Sequence, residues 1–439
     1  MDVTQLAHWQ GSMTGIPRVM HELAIRIRKT DKNARFVAWV QEKQALCEID
    51  FDKTISSRGG EVVYLHDGED ISPTDSDESI DSPAAIEKPA GEISLKQTAK
   101  ATVKKALVHT SRVSPRLAEK LKQSARRARM SNFKTPGFHK GDILFIPWGE
   151  WWDSNFTNCL VSYHENYGVR LVQIIHDAGP TVQPQFFEEV DVSPMDYNSK
   201  ILPIADLVLA NSKYTASEIG DWLKQEGLHV PALKSFRLGD DIHIAQPARP
   251  DDPIFERSGL KGNDYILFVG TIELKKNHML LYYVYKLAKV RGIKLPKLVI
   301  AGRRGWLTEA TFALMTKDPE VKDSFVFMIG KPDDELSWLY NHCLFTVQSS
   351  LYEGWGIPIV ESVARGVPCL CGDFGSMAEA AAGYTEHFTP VSTDECLAGI
   401  VRWLDPATLK AAREHVKGYQ RFTWDDSFKQ VETYLKELR

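Results

Sequence analysis

Apolar runs of strand length alternate with stretches of helical periodicity, and the pattern is laid down twice. In the first half, Phe36 to Val40, Glu61 to Leu65, Asp142 to Pro147, Leu171 to Ile175 and Leu207 to Ala210 predict strands, with Met1 to Leu6 as a short first one. Val19, Leu23 and Ile27 fall at helical spacing behind Pro17. In the second half, Tyr265 to Val269, Lys297 to Ala301, Phe325 to Ile329 and Leu344 to Val347 predict strands, and Met279 to Val290 a helix. Phe428, Val431 and Leu435 predict a terminal helix running from Phe422 to Arg439. Strands that alternate with helices make an α/β fold with parallel sheets. The two series are separated by a stretch around 241–262 carrying Gly, Asp and Pro, which predicts an interdomain linker. The expected division is 1–240, linker 241–262, 263–420 and a C-terminal helix over 421–439.

The first series is interrupted at 66–140. From His66 to Gly91 there are eight acidic side chains against one basic; from Glu92 to Met130, eleven Lys or Arg stand against two Glu. The acidic part, with its Ser and Pro, predicts a loop or disordered insertion. Two readings are open for the basic part: an amphipathic helix on an anionic membrane surface through 92–130, or a solvated excursion folded against its acidic neighbour.

Candidate chemistry gathers where strands end. After Leu344–Val347 comes Ser349-Ser350, then Glu353-Gly354-Trp355-Gly356-Ile357-Pro358, then a helical pattern that stops at Gly366. Pro near the start and Gly past the end are the expected asymmetry of a short helix. Free amides at Ile359, Val360 and Glu361, with the helix dipole, predict an anion site suited to a diphosphate. Two carboxylates flanking it, Glu353 and Glu361, imply cargo that carries hydroxyls as well as phosphate. A second glycine loop, Gly11 to Gly15 with Ile16-Pro17-Arg18, precedes the first helix; it is not a GxGxxG fingerprint. His176, Asp177 and Ser212 fall just past the ends of predicted strands, where open α/β sheets line their binding crevice.

The run Ser350-Leu-Tyr-Glu353-Gly-Trp-Gly-Ile-Pro-Ile-Val-Glu361, with Ala364-Arg-Gly-Val-Pro after it, resembles the Glu-x7-Glu signature of retaining GT-B glycosyltransferases of family 4. Trp355 stands where that family usually has Phe. Thr14-Gly15-Ile-Pro-Arg18-Val resembles the family's N-terminal loop, and Gly270-Thr271-Ile-Glu-Leu-Lys275-Lys276-Asn277 its phosphate loop. The resemblance implies a GT-B fold, two Rossmann-like domains facing a cleft, with the C-terminal helix crossing back to the first. It implies that Glu361 binds the nucleotide ribose, that Glu353 lies beside the donor sugar, and that Lys276 clamps the diphosphate. Lys275 and Thr271 occupy positions where many members carry Arg. By the same resemblance His176 contacts the donor sugar or the acceptor hydroxyl, Lys331 marks the place where the base is read, and Gly15, Gly356, Ile357 and Pro358 approach the donor. Arg18, Asp177 and Ser212 are expected on the acceptor side. The loops look most like those of bacterial polysaccharide and O-antigen transferases, which implies hexosyl transfer, with mannose from GDP-mannose as the first expectation. Rival expectations are a GT-B nucleotide-sugar epimerase or hydrolase and a non-catalytic sugar-nucleotide-binding scaffold.

Composition narrows the partners. Net charge is −5, which gives the whole molecule no nucleic-acid footprint. Cys47, Cys159, Cys343, Cys369, Cys371 and Cys396 show no CxxC pairing, which predicts reduced structural thiols and a cytoplasmic setting. No charged leader or membrane span is predicted, so any membrane association would be peripheral. Asp50-Phe-Asp52 and Asp75-Ser-Asp77 match Asp-x-Asp as strings but follow no nucleotide-binding unit, so neither a metal nor another cofactor is expected. The expected partners are a nucleotide-sugar donor and a glycan or lipid-linked oligosaccharide acceptor.

Overall fold

The computed structural model describes residues 1–9, 15–56, 62–66, 132–188, 194–240, 260, 262, 264–331 and 333–439. The basic segment 92–130, Asp75 and Asp77, Gly11 to Thr14 and most of the 241–262 linker lie outside these residues.

The first unit opens with α1 (Thr4–Ala7), α2 (Ile16–Thr30) and the antiparallel pair β1 (Val37–Val40) and β2 (Ala45–Glu48). Its parallel sheet has the order β3-β4-β5-β6, from β3 (Ile143–Ile146), β4 (Arg170–Ile175), β5 (Leu207–Ala210) and β6 (Leu233–Ser235). Helices α3 (Ser154–Tyr167) and α4 (Lys213–Gln225) connect its strands. The expected strand at Met1 to Leu6 is not one: helix α1 takes over at Thr4. Residues 1–3 nevertheless run where a strand would, with Asp2 N donating to Phe145 O at 2.8 Å and Val3 N to Val37 O at 2.9 Å. They join β1 to β3, so the chain starts in the middle of the layer and builds outward to both sides. Glu61 to Leu65 is likewise no strand; among its described residues only Tyr64 makes a bridge, to Ile49.

The second unit holds six parallel strands in the order β9-β8-β7-β10-β11-β12. They are β7 (Tyr265–Val269), β8 (Lys297–Ala301), β9 (Phe325–Met328), β10 (Thr346–Gln348), β11 (Cys369–Gly372) and β12 (Thr385–Phe388). Helices α5 (His278–Val290), α6 (Asp333–His342), α7 (Ile357–Ala364), α8 (Thr393–Trp403) and α9 (Pro406–Val416) belong to it. Strand order reverses between β7 and β10, and in an open sheet of this kind the crevice beyond that reversal receives the ligand. The four central strands β8, β7, β10 and β11 are buried through their middle, as a sheet covered on both faces requires, while the edge strands β9 and β12 are only partly covered.

Helix α10 (Trp424–Glu437) starts in a capping box between Thr423 and Asp426 and lies on the first unit. Arg26 of α2 pairs with Asp425 at 2.7 Å, Tyr434 donates to Ser235 O at 3.2 Å, and Arg439 pairs with Asp31 at 2.7 Å. One continuous apolar cluster runs from Val19, Leu23 and Phe236 in the first unit through Trp355, Ile359 and Met377 to Trp424 and Phe428. Burial on that scale holds the two units and the terminal helix together. Among the described residues no helix is long and apolar enough to cross a membrane.

Candidate active site

Two loops meet at the reversal in the second sheet. The one after β7 carries Thr271, Lys275 and Lys276; the one after β10 carries Ser350, Glu353 and Gly356. Gln348 Nε2 donates to Val269 O at 3.1 Å, Leu351 N to Lys275 O at 2.7 Å, and Ser349 Oγ to Lys276 O at 2.9 Å. A third loop braces the first, with Ile272 N on Arg303 O at 2.8 Å and Gly305 N on Ile272 O at 2.8 Å. Thr271 packs its methyl against this brace beside Gly305. Asn277, at φ 56°, caps α5 through its side chain and sets the turn that presents both lysines.

Lys276 Nζ lies 2.5 Å from Glu353 Oε1, and Ser350 Oγ donates to the same oxygen at 2.6 Å. Both residues are buried. Burial pushes the Glu353 carboxyl up, but the charges of Lys276 and Lys275 and these hydrogen bonds outweigh it and hold the acid below its ordinary value. Lys275 Nζ reaches across the cleft to Asp177 Oδ2 at 2.6 Å. Burial lowers that ammonium, while Asp177, Glu353 and Glu273 more than offset it and raise its affinity for the proton. Glu353 is thus held ionised between two buried ammonium groups.

Glu361 sits in the first turns of α7 with both oxygens engaged: Arg18 donates to Oε1 at 3.0 Å from the opposite unit, and Tyr340 to Oε2 at 3.1 Å. Gly356 caps α7 at φ 97°, a conformation that glycine adopts freely. The expected row of free amides needs correction. Ile359 and Val360 both donate to Gly356 O, at 2.9 and 3.4 Å, because the helix starts as a tight turn. Pro358 has no N–H, so the outward-facing first-turn amide is that of Ile357, backed by the helix dipole.

The opposite wall comes from the ends of β3 and β4. Gly354 packs against the main chain there so closely that a Cβ would stand 1.9 Å from His176 O. His176 is buried, and burial pushes its imidazole down to about 4, so it is neutral at pH 7. Its Nε2 lies 2.7 Å from Pro147 O. A carbonyl only accepts, so the proton is on Nε2 and Nδ1 is left as an acceptor without a partner among the described residues. That narrows the sequence expectation: in this arrangement His176 can take a hydrogen bond from a sugar hydroxyl at Nδ1, not give one.

Two of the expected residues have side chains engaged by close neighbours. Ser212 is buried as the N-cap of α4, accepting from Thr215 N at 3.0 Å, so its hydroxyl serves the helix rather than an acceptor. Lys331 pairs with Glu335 at 2.8 Å in the first turn of α6 and is tied to none of the cleft carboxylates by a described contact. Gly15 caps α2 at φ 61°, which places Arg18 in the first turn facing Glu361. Asp50 and Asp52 pair with Lys53 and Arg28 and form no shared site. Tyr340 and Ser350 were missed because nothing local marks them; each lies far from, or at an unremarked spacing to, the acid it holds. The cleft is further closed by Tyr352 donating to Glu218, and by Glu379 accepting from the Lys213 and Tyr214 amides at 3.2 and 2.9 Å.

Residues 251–419 match the family model described as glycosyl transferases group 1. The second unit carries a glycosyltransferase group 1 domain. That domain contains both lysines, both glutamates and the β7/β10 reversal. O-antigen chain mannosyltransferase B of Escherichia coli is 26% identical over 279 residues, 61% of this chain and 71% of that protein. Serotype-specific mannosyltransferase WbdA of Escherichia coli is 21% identical over 239 residues, 53% of this chain; the match spans only 29% of WbdA. Among solved structures, Anabaena HepE in complex with UDP and glucose superposes with a TM-score of 0.54 at 17% identity, over 73% of this chain and 81% of HepE. Sucrose-phosphate synthase of Thermosynechococcus elongatus gives 0.53 at 17%, over 73% and 78%. At these identities the structures speak to the fold, which is GT-B around the group 1 domain.

Proposed function

We propose that this protein is a glycosyltransferase that moves a hexose from a nucleoside diphosphate sugar to a hydroxyl of a growing, lipid-linked glycan, with retention of configuration and without a metal. The observation that carries the reading is the buried Lys275/Lys276 pair at the sheet reversal, with Lys276 on Glu353 of the loop that leads into α7, and a second carboxylate, Glu361, within that helix. Buried ammonium groups and a helix start stabilise the negative charge that grows on a leaving diphosphate. In the ligand-free state the same lysines are held by Glu353 and Asp177, so the donor must replace part of these ion pairs. Glu361 would then take the ribose hydroxyls, and Glu353, kept ionised, would lie against the donor sugar and steady the positive charge that develops on its ring. In the retaining step the C1–O bond to the diphosphate breaks as a bond from C1 to the acceptor oxygen forms on the same face, and the acceptor proton passes to the leaving phosphate oxygen.

The mannosyltransferases among the relatives support mannose, from GDP-mannose, as the first donor to try. A cytoplasmic location, with 92–130 resting on an anionic membrane face, fits that reading. The test is nucleotide release from a panel of GDP- and UDP-sugars, with and without lipid-linked glycan. The reading predicts acceptor-dependent release from one hexose donor. Equal release without acceptor would favour a hydrolase or epimerase, and binding with no release a scaffold.

A further inference from the structure

At the end of α7 away from the donor loop, the second unit carries a surface groove of about 610 Å³ that the proposed chemistry leaves unused. One side of it belongs to α9. Lys410, Arg413, Glu414 and Lys417 recur there at spacings of three and four, so they share a face of that helix and its cap. The other side is the end of α7, with Arg365 and Gly366. Among the described residues, four cations and a single carboxylate line the groove. That carboxylate, Glu414, is already paired with Lys417 at 2.7 Å.

Helix ends account for part of this charge. Carbonyls left over at the C-termini of α6 and α7 carry partial negative charge and attract cations. Arg413 Nη2 donates to Cys343 O and Leu344 O just past α6, both at 2.8 Å, and Arg365 Nη1 to Glu361 O within α7 at 3.2 Å. These bonds fix both guanidinium groups yet use only some of the five N–H donors that each carries. Arg365 Nε is buried without a partner among the described residues, and Lys410, exposed on α9, has no ion pair among them. The lining has an excess of three positive charges, and the two helix ends offset about one unit of it between them. About two positive charges remain, which matches a phosphate monoester at roughly −1.5 to −2.

We propose that this groove is a second anion site, separate from the candidate active site, and that it takes a phosphate monoester group. A carboxylate, with one charge, would leave the groove half neutralised. A phosphate brings three acceptor oxygens to two guanidinium forks and the ammonium of Lys410. A free phosphorylated metabolite and a lipid headgroup present that same group. The site does not rest on the donor reading, but its consequence does. Arg365 stands over the Tyr340 ring at 4.7 Å, and Tyr340 donates to Glu361 Oε2 at 3.1 Å. A phosphate drawn onto Arg365 thus acts through Tyr340 on the carboxylate proposed to hold the ribose.

Calorimetric titration with inorganic phosphate and glycerol 3-phosphate at fixed ionic strength tests the site, beside co-sedimentation with phosphatidylcholine vesicles made with and without phosphatidic acid. Lys276→Met, which disables the donor loop, is expected to keep phosphate binding. Lys410→Glu/Lys417→Glu, on an exposed helix face and checked for folding by circular dichroism, is expected to weaken it at least roughly tenfold. Glu414→Gln, which releases Lys417, is expected to tighten it roughly threefold. Binding of glycerol 3-phosphate with no vesicle response assigns a free metabolite. Vesicle binding that needs phosphatidic acid and is lost with the two α9 lysines assigns a headgroup. Phosphate binding that is lost in Lys276→Met and untouched in the α9 variant puts the anion in the donor loop and overturns the groove, as does no binding of any probe. Failure of GDP and UDP to bind, with the phosphate response unchanged, strikes the donor reading alone.

Discussion

The two walls of the cleft are built from the same strand–loop–helix unit yet present different chemistry. The second unit presents a helix start and buried ammonium groups, the latter already matched by carboxylates. The first presents indoles, a neutral imidazole and a carboxyl held up by burial. On the proposed reading the second wall meets a diphosphate, which is recognised by charge, so its ammonium groups, kept out of water, must stay neutralised until the ligand arrives. Sugar hydroxyls are recognised by shape and a few hydrogen bonds, which on the same reading suits the neutral imidazole of the first wall. The cross-cleft pairs, Lys275 with Asp177 and Arg18 with Glu361, are where the two meet.

The largest effect should come from the charged wall. Glu353→Gln keeps the shape and the Ser350 contact while removing the charge beside the developing cation. Turnover is expected to fall by roughly 10²- to 10³-fold, since loss of one preorganised electrostatic contact costs about that much, while GDP affinity is kept or raised because the anion on Lys276 is gone; steady-state kinetics with calorimetry separates the two. A smaller and opposite effect is expected from Asp177→Asn, which removes the anion that competes with diphosphate for Lys275. Nucleotide affinity should rise by roughly threefold, on the scale of a partly buried ion pair. A fall would mean that Asp177 positions Lys275 rather than occupying it.

The smallest effect concerns the aromatic wall and is read as stability against pH. Glu150 is held at about 8 against an ordinary 4.5, so the stability it contributes is full below 4.5 and is lost as pH rises through 8. His176, pushed down to about 4 from 6.5, contributes stability that is full above 6.5 and is lost as pH falls through 4. Wild-type Tm should therefore decline on both sides of mildly acidic pH. Glu150→Gln should flatten the alkaline side by a few degrees and leave the acid side alone, which thermal melts between pH 4 and 9 would read.

What could be read from the sequence follows the same division. The stretch from Leu344 to Gly366 folds locally, so its strand, turn and helix were legible, and with them Glu353 and Glu361. Lys275 and Lys276 were legible as a basic pair, but their partners were not. Asp177 lies 98 positions away and Arg18 lies 343 from Glu361, separations that no local pattern reports. The start of the chain misled because three residues inserted between two strands give a pairing without a strand's length. Ser212 stands at a strand end as expected, and its hydroxyl caps α4, a use that Ser directly before a helix commonly signals.

The central claim is that Lys276 and its loop hold a nucleoside diphosphate. Calorimetric titration of GDP and UDP into the wild type and into Lys276→Met tests it without needing an acceptor or a sugar. The account predicts binding of one of the two nucleotides by the wild type and a loss of at least roughly tenfold in the variant, with the fold intact by circular dichroism. Equal affinity in a folded Lys276→Met protein, or no binding of either nucleotide by the wild type, would contradict it.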